Sequence, residues 1–349
     1  MTPAVRVLVV DDSVVMRRIV VRTLERHGSI ARTDFAVDGA AALAKIAERR
    51  PDVVVLDLEM PVLDGFATLK AIRRTDLDLP VVLFSSMDER VASDTLEALS
   101  LGATDFVVKP RGSDIGAAEE YVDQQLTPLV LALAAPRLRD RDRTSPSPDA
   151  EHGAPRVDAV VIGTSTGGPD ALTALVRALP ADLAVPVLVV QHMPPMFTRL
   201  LAERLDRIGE VPVRQAQQGD VVLPGTVYVA PGGRHLELAT AQGRVTVALG
   251  DGPPENSCRP AADVLFRSAV EVYGGRTLAV VMTGMGQDGL RGCQGVREAG
   301  GQVIVEDPAT ALIASMPGSV VTAGLAHAAL SLDLLAPELV RRVRGQSDG

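Results

Sequence analysis

Residues 160–172, VVIGTSTGGPDAL, run from apolar residues through a glycine-rich turn into a segment of helical character. The apolar residues predict a buried strand, while Pro169 suits the first position of a helix and Asp170 its first turn. A glycine-rich turn between a strand and a helix either binds a phosphate on backbone N–H groups or exposes a serine as a nucleophile. The rest of the sequence is needed to choose between these two functions.

Length and composition limit the class of protein. The chain has 349 residues, more than a typical single domain, so two domains are expected. A net charge of −9 without a basic cluster argues against binding to nucleic acid or anionic membranes. No apolar run reaches the roughly 18 residues of a membrane span, and MTPAVRVLVVDDS does not resemble a signal peptide. Two cysteines, Cys258 and Cys293, cannot form a disulfide framework or a four-ligand zinc site, so we expect a cytoplasmic protein. No helix shows a heptad seam, so we expect a monomer.

Strand-like and helix-like segments alternate over the first part of the chain. The strand-like runs are apolar and rich in β-branched residues, as buried parallel strands are: VRVLVV, DVVVLDL, PVVLFSS and DFVVKP. Between them, two segments have helical spacing and end at Gly28 and before Pro51: SVVMRRIVVRTLERHG and DGAAALAKIAERR. This order predicts a doubly wound parallel sheet, whose ligands bind beyond the carboxyl ends of its strands.

A charged segment rich in proline and serine, residues 135–155, separates this series from a second one. Its composition predicts a linker, so we place the two domains at residues 1–134 and 156–349. Strand and helix patterns alternate again in the second domain, which predicts another doubly wound α/β fold: VDAVVIG, PDALTALVRAL, VPVLVVQH, PMFTRLLAERLD, TLAVVMTG, GLRGCQGVREAG and QVIVED. A small antiparallel hairpin insert is predicted from two alternating segments with turn residues between them, TVYVAPGGRHLEL and RVTVAL.

Three carboxylates follow predicted strands of the first domain. Asp11 and Asp12 come directly after VRVLVV, and Asp57 follows DVVVL. Because parallel strands end at one edge of a sheet, these oxygens would form a cage suited to Mg²⁺. Ser85 and Lys109 end the next two strand runs, and lysine is rare in this chain. Any one aspartate here also fits an ordinary strand end or helix cap, but the five residues in this order favour a site.

The turn at residues 163–167 fits G-x-S-x-G around Ser165, and it lacks both the lysine of a phosphate loop and the spacing of a dinucleotide fingerprint. That pattern alone is common, and a serine nucleophile also needs a base. Of the histidines, only His192 directly follows a neighbouring strand, unlike His27, His152, His235 and His327. Asp288, beyond a further strand, would orient the imidazole, although capping the helix after it is an alternative role. We therefore expect an acyl-transfer hydrolase.

The first domain closely resembles the receiver domain of bacterial response regulators, through VLVVDDS, VVVLDLEMPVLDG, VVLFSS and DFVVKP in that order. The resemblance implies a five-stranded parallel sheet and phosphoryl transfer from a histidine kinase to Asp57. It also implies contacts from Ser85 and Lys109 to the phosphoryl oxygens, and Mg²⁺ held by Asp11, Asp12, Asp57 and the backbone carbonyl of Glu59. Phe106 occupies the position of the aromatic switch residue, although ordinary core packing explains it equally well.

The second domain resembles the catalytic domain of the chemotaxis protein-glutamate methylesterases, the CheB family. The matching motifs, from residue 157 onwards, are VIGTSTGGP, VVQHMPPMFTRLLAERLD, YVAPGGRHLEL, CRPAADVLF and VVMTGMGQDG. The resemblance implies that Ser165 is the nucleophile, His192 its base and Asp288 the orienting acid, with an oxyanion hole formed by the N–H groups of Thr166 and Met285. The implied substrates are glutamyl γ-methyl esters in the cytoplasmic region of chemoreceptors, with glutamine deamidation in some members and no cofactor for ester hydrolysis. An unphosphorylated receiver is expected to cover the esterase cleft.

Two positions depart from the family pattern. Cys258 stands where the family commonly has histidine, and Thr164 replaces a usual alanine. We expect Cys258 to be a packing thiol. Two other functions stay open at this point: a nucleotide-binding or phosphoryl-transfer output domain, and a non-catalytic domain that only binds partners. The sequence does not identify the receptor, its glutamates or the partner kinase.

Overall fold

Strands and helices alternate along the chain in the order that the sequence predicts. The computed structural model describes residues 5–86, 88–112, 114–135 and 156–345. These residues form two compact units, one ending at residue 135 and one beginning at residue 156, and each is described by itself. The predicted linker lies outside the described residues apart from Ala135.

The first unit is a parallel sheet covered by helices. Its strands are β1 (Val5–Val10), β2 (Ile30–Ala36), β3 (Val53–Leu56), β4 (Val81–Ser85) and β5 (Asp105–Val108). Its helices are α1 (Val14–Glu25), α2 (Gly39–Glu48), α3 (Gly65–Thr75), α4 (Glu89–Ser100) and α5 (Ile115–Ala134). Within residues 5–135 the strand order is β2-β1-β3-β4-β5, which confirms the predicted five-stranded doubly wound sheet.

The centre of this sheet is buried on both faces, as its apolar runs require. Every side chain of β3 is at most 1% exposed. The chain passes from β1 outward to β2 and then returns to β3 on the other side of β1. This reversal creates a crevice at the carboxyl ends of β1 and β3, where Asp11 and Asp57 follow their strands.

The second unit is also built on a parallel sheet. Its strands are β6 (Ala159–Thr164), β7 (Val187–Gln191), β8 (Val213–Gln215), β9 (Val227–Val229), β10 (His235–Ala241), β11 (Arg244–Gly250), β12 (Thr277–Val281), β13 (Gln302–Glu306) and β14 (Ala328–Leu330). Its helices are α6 (Gly168–Ala178), α7 (Pro195–Ile208), α8 (Ala262–Tyr273), α9 (Leu290–Glu298), α10 (Ser315–Thr322) and α11 (Leu332–Arg344). The main sheet of residues 156–345 has the order β14-β13-β12-β6-β7-β9-β8. The earlier strands are therefore added on one side of β6 and the later ones on the other side, which makes β6 the reversal point of the sheet.

The antiparallel insert is smaller than the sequence predicts. Strands β10 and β11 form the hairpin, which confirms its existence. The segment TVYV, however, belongs to β9 of the main sheet, where it pairs in parallel with β7 and β8. Its alternation is misleading because Tyr228 is fully buried, with its hydroxyl donating to the Val221 carbonyl and accepting the Leu223 N–H. A buried tyrosine therefore gives this strand the alternating sequence pattern that is typical of a half-exposed hairpin strand.

The helix after the glycine-rich turn begins slightly earlier than predicted. Helix α6 starts at Gly168, so Pro169 occupies its second position rather than its first, and Asp170 lies in its first turn as expected. Pro169 is tolerated there because the first N–H groups of a helix have no intrahelical partner. Among the described residues, no helix combines the length and the apolar composition that crossing a bilayer requires.

Candidate active site and acidic pocket

The glycine-rich turn presents Ser165 directly after β6. The Ser165 N–H donates to the Thr283 carbonyl at 3.0 Å, and the Gln191 side-chain amide donates to the Ser165 carbonyl at 2.9 Å. Thr164 pairs with Gln191 in the register of β6 and β7, and the His192 N–H donates to the Thr164 carbonyl at 3.2 Å. Ser165 and His192 therefore leave neighbouring strands side by side, as their positions after strand ends predict.

His192 is paired with Asp288. Its Nε2 atom lies 2.8 Å from Asp288 Oδ2, and the two side chains are 11% and 2% exposed. Burial lowers the pKa of His192, but the hydrogen bonds with Asp288 and Cys258 raise it by more, so the net shift is upward. With Nε2 donating to the carboxylate, Nδ1 is the ring nitrogen that remains to accept a proton.

Asp288 is held by the start of a helix other than the one that follows it. It accepts hydrogen bonds from the backbone N–H groups of Ala262 and Asp263, which open α8, from Gly289, and from the Asn256 side chain. Burial raises the pKa of Asp288, but His192 and these donors lower it by more, so the group is ionised. The alternative role as side-chain cap of α9 is not adopted, because the capping residue of that helix is Gly289.

The predicted nucleophile and its predicted base are neighbours without a direct hydrogen bond. Among the described residues, the hydrogen-bond partners of the His192 ring are Asp288 and Cys258, and Ser165 is not one of them. Cys258 Sγ lies 3.5 Å from His192 Nδ1. Cys258 was expected to be a packing thiol, and its contact with the imidazole was missed because 66 residues separate the two positions.

The acidic pocket brings together the predicted residues of the first unit. Ligand atoms of Asp11, Asp12 and Asp57 lie within 4.8 Å of one another, with Asp12 exposed and the other two buried. Lys109 Nζ lies 2.6 Å from Asp57 Oδ2 and 2.8 Å from Asp11 Oδ2. Three clustered carboxylates are the hard oxygen donors that Mg²⁺ prefers, so the residues present fit this ion.

Burial and the lysine act in opposite directions on the predicted phosphoryl acceptor. Burial raises the pKa of Asp57 to about 6, while the charge and hydrogen bond of Lys109 oppose this rise. Burial lowers the pKa of Lys109, but Asp57 and Asp11 raise it by more. The pocket therefore holds a permanent positive charge beside a buried carboxylate, an arrangement suited to binding a transferred phosphoryl group.

The other predicted residues of this pocket are Ser85, Phe106 and Glu59. Ser85 is fully buried, and its hydroxyl is 2.8 Å from the Thr95 hydroxyl on α4 rather than bonded to Asp57. Phe106 lies on β5 and is partly buried. The Glu59 N–H donates to Asp57 Oδ1 at 3.2 Å, while its side chain accepts from Arg90 at 3.1 Å and from a serine hydroxyl.

Comparison with known proteins identifies the families that the two units resemble. The family described as CheB methylesterase matches residues 160–339, and the response regulator receiver domain matches residues 7–117. A protein-glutamate methylesterase/protein-glutamine glutaminase of Trichodesmium erythraeum is 44% identical over 98% of this chain and 99% of its own. The chain belongs to the CheB methylesterase family. A relative of the same name from Nocardioides is 45% identical over 99% of this chain and 97% of its own. The solved catalytic domain of Thermotoga maritima CheB methylesterase has a TM-score of 0.52 and 42% identity, over 54% of this chain and 99% of that domain.

In this member of the family, Thr283 connects the turn that carries Ser165 to the loop that carries Asp288. Its carbonyl accepts the Ser165 N–H and the Thr164 hydroxyl, and its own hydroxyl donates to the Thr166 carbonyl. The departure at Thr164 therefore adds a hydrogen bond within the site. Thr283 itself was missed, since a threonine at a strand end carries no signal that separates it from ordinary β-branched residues.

Gly284 allows the two loops to approach each other closely. A Cβ atom at this position would lie 2.8 Å from Ser165 Cβ. Met285 follows directly, partly exposed, while Thr166 is buried. Among the described residues, the N–H groups of Thr166 and Met285 donate no hydrogen bond, so both could donate to an oxyanion.

The other histidines of the methylesterase unit have structural surroundings. His235 is 3% exposed, its Nδ1 accepts the Ala261 N–H, and its Nε2 contacts the Pro253 carbonyl. Both ring nitrogens are thus occupied by backbone groups. His327 lies against the backbone of Val303 at β13. Neither ring is available as a base for Ser165, which supports the choice of His192; His152 lies outside the described residues.

Proposed function

We propose that this methylesterase hydrolyses glutamyl γ-methyl esters in the cytoplasmic region of chemoreceptors, with Ser165, His192 and Asp288 as its catalytic residues. The observation that carries the proposal is the 2.8 Å pair of His192 and Asp288 beside Ser165 at the reversal point of the sheet. The names of the relatives agree with this activity. We place the protein in the cytoplasm as a monomer, with the receiver at residues 1–134 and the esterase at 156–349.

The reaction begins with proton transfer from the Ser165 hydroxyl to His192 Nδ1. Ser165 Oγ attacks the ester carbonyl, and His192 returns the proton to the methoxide oxygen so that methanol leaves. Water then attacks the glutamyl-serine ester with His192 again accepting the proton. Asp288 stabilises the imidazolium formed in both steps, because its carboxylate is ionised and already bonded to Nε2. The N–H groups of Thr166 and Met285 would bind the developing oxyanion.

Glutamine deamidation follows the same route with a different leaving group. The amide nitrogen must be protonated before it leaves as ammonia, and the imidazolium at His192 is the group placed to donate that proton. The raised pKa of His192 favours the charged form that this step requires. We therefore propose that the chain also deamidates receptor glutamines, as the names of its relatives indicate for them.

We further propose that phosphorylation of Asp57 by a chemotaxis histidine kinase activates the esterase. Asp11, Asp12, Asp57 and the Glu59 carbonyl would hold Mg²⁺, which would supply positive charge to the transferring phosphoryl group. Lys109 would move from pairing with Asp57 to contacting the phosphoryl oxygens, together with Ser85. Activation would then require Ser85 to exchange its hydrogen bond with Thr95 for one with the phosphoryl group.

The test is methanol release from a methylated chemoreceptor cytoplasmic fragment, with and without acetyl phosphate and Mg²⁺. Wild type should release methanol faster when phosphorylated, Ser165→Ala should release none above background, and Asp57→Asn should show only the basal rate. Ser331→Ala is the matched control for Ser165→Ala, because its hydroxyl makes no capping bond at α11. Release by Ser165→Ala at the wild-type rate would overturn the assignment of the nucleophile. Equal rates for Asp57→Asn and phosphorylated wild type would overturn the proposed activation.

A further inference from the structure

A tight turn carries Cys258 to the catalytic base. Glu255 and Cys258 exchange two backbone hydrogen bonds of 3.0 and 2.9 Å, and the residues between them, Asn256 and Ser257, have φ angles of 52° and 62°. Two consecutive left-handed residues define a type I′ turn, in which asparagine is favoured and most other residues are strained. The turn directs the Cys258 side chain toward His192.

This turn is fixed by the carboxylates of the active site. The Asn256 side-chain amide donates to Asp288 at 2.8 Å and to Asp263 at 2.9 Å, and both acids are buried. The residue that holds the turn is therefore bonded to the same carboxylate that orients His192. Cys258 and the imidazole are thus positioned by the same buried, hydrogen-bonded cluster of carboxylates.

The contact involves the one ring nitrogen that catalysis requires. Nε2 of His192 is occupied by Asp288, so only Nδ1 can accept the proton of Ser165. In the structure Nδ1 is 3.5 Å from Cys258 Sγ, and among the described residues the Ser165 hydroxyl does not bond to the ring. A thiol is both a weak donor and a weak acceptor of hydrogen bonds, so it can orient a neutral or a charged imidazole and still be displaced easily by a hydroxyl.

We propose that Cys258 is a positioning residue for ester hydrolysis, which holds the His192 ring through Nδ1 in the resting enzyme and yields that nitrogen to Ser165 when substrate binds. The proposal rests on the function assigned above to Ser165 and His192. The thiol keeps the ring in the plane that Asp288 also requires, so the base does not have to reorient before it accepts a proton. A side chain that only fills space would leave this orientation to Asp288 alone.

Kinetics of three substitutions separate positioning from packing. Cys258→Ser keeps a hydrogen-bond donor, whereas Cys258→Val fills the same space without one, and Cys258→Ala removes both. We expect kcat for methanol release to stay within about twofold of wild type in Cys258→Ser and to fall about five- to tenfold in the other two, with KM unchanged. A wild-type kcat in Cys258→Val would overturn the proposal, as would a loss in Cys258→Ser equal to that in Cys258→Ala.

Alkylation by iodoacetamide tests the same contact without any substitution at Cys258 and without esterase substrate. The sulfur–carbon bond forms as the carbon–iodine bond breaks and iodide leaves, while the thiol proton passes to the buffer and the His192 ring stabilises the thiolate. Cys293 is the internal control, because it is fully buried and burial raises its pKa. Peptide mass spectrometry at pH 7 should show Cys258 of the full-length protein modified at least five times faster in wild type than in His192→Gln, with Cys293 unmodified until denaturation.

The two experiments distinguish this proposal from the function on which it rests. If wild type releases no methanol but His192→Gln still slows alkylation, the thiol–imidazole pair exists and the assigned ester hydrolysis is wrong. If methanol is released and alkylation is the same in wild type and His192→Gln, the function stands and the role of Cys258 is overturned. Should the Cys258 variants fail to fold, as judged by circular dichroism, the alkylation rates alone decide.

Discussion

Replacing Asp288 with asparagine tests the central charge of the active site with almost no change in shape. The carboxylate receives donors on both oxygens: His192 Nε2 and the Ala262 N–H at Oδ2, and the Asp263 N–H, the Gly289 N–H and the Asn256 amide at Oδ1. An asparagine NH₂ group at the Oδ1 position would face three donors, but at the Oδ2 position only two. We therefore expect the amide nitrogen to face His192.

That orientation reverses the hydrogen bond to the base. Nε2 must now accept from the asparagine, so the neutral ring carries its proton on Nδ1 and has no lone pair for Ser165. A triad with the wrong tautomer of histidine loses about 10⁴ in kcat, or about 5.4 kcal/mol of transition-state stabilisation. The Ala262 N–H also loses its acceptor, which lowers the free energy of unfolding by about 1–3 kcal/mol.

The assay is methanol release at saturating substrate, combined with urea unfolding followed by circular dichroism. Asp263→Asn is the matched control, because Asp263 is a buried carboxylate of the same cluster, bonded to Asn256 and to the Gly292 N–H but not to His192. The control should lose stability yet keep kcat within about tenfold of wild type. A kcat for Asp288→Asn above a tenth of the wild-type value would refute the reasoning, since the ring would then not depend on Asp288 for its tautomer.

Three further predictions concern proton transfer, close packing and the receiver. Because the pKa of His192 is raised, kcat/KM should increase with pH through a value above 6.5. The charged ring should contribute to the free energy of unfolding in full below pH 6.5, and this contribution should be lost as the pH rises toward about 9. Gly168→Ala would place a Cβ atom 1.9 Å from a buried amide oxygen, so it should lower the free energy of unfolding in urea by about 1–3 kcal/mol. Gly295→Ala lies in open space within α9, so it should raise the free energy of unfolding by about 0.5–1 kcal/mol. Thr95→Val should free Ser85 and raise phosphorylation by acetyl phosphate about fivefold on phosphate-affinity gels, the equivalent of one buried hydrogen bond.

Each of these has a result that contradicts it. An acid limb of kcat/KM below pH 6.5 would mean that Asp288 does not stabilise the imidazolium. Equal unfolding free energies for Gly168→Ala and Gly295→Ala would show that the nucleophile turn has room that the structure does not. Unchanged phosphorylation of Thr95→Val would mean that the Ser85 bond to Thr95 does not oppose the phosphorylated state.

The strands with continuous apolar runs could be predicted from the sequence, including β5 at a sheet edge, whereas β2, β8 and β14 could not. β3 and β6 are continuous apolar runs, whereas β2, IARTDFA, lies at the sheet edge and keeps Arg32 exposed and Asp34 half-exposed. β8 and β14 have three residues each, too few for any period to appear. The TVYV segment was assigned to the hairpin because its tyrosine suggests an exposed position. The tyrosine hydroxyl is instead hydrogen-bonded inside the core.

The placement of site residues followed from strand ends, while their partners did not. The rule that parallel strands end at one edge brought Ser165 next to His192, as their positions in the sequence indicated. The donors to Asp288 come from the start of α8, and the thiol at His192 Nδ1 comes from a turn of four residues. Such contacts join segments that are far apart in the sequence but close in space, and no local sequence pattern predicts this proximity.

The attachment of α8 has an evolutionary consequence for the hairpin β10–β11. Ser268 of α8 accepts the Leu238 N–H of β10, and His235 at the start of β10 accepts the Ala261 N–H just before the helix. The hairpin thus anchors the helix whose first N–H groups hold Asp288, the proposed orienting acid. Sequence drift in a segment distant from the scissile bond can therefore tune turnover, and a homologue with a longer or repacked hairpin can differ in activity while all its catalytic residues are the same.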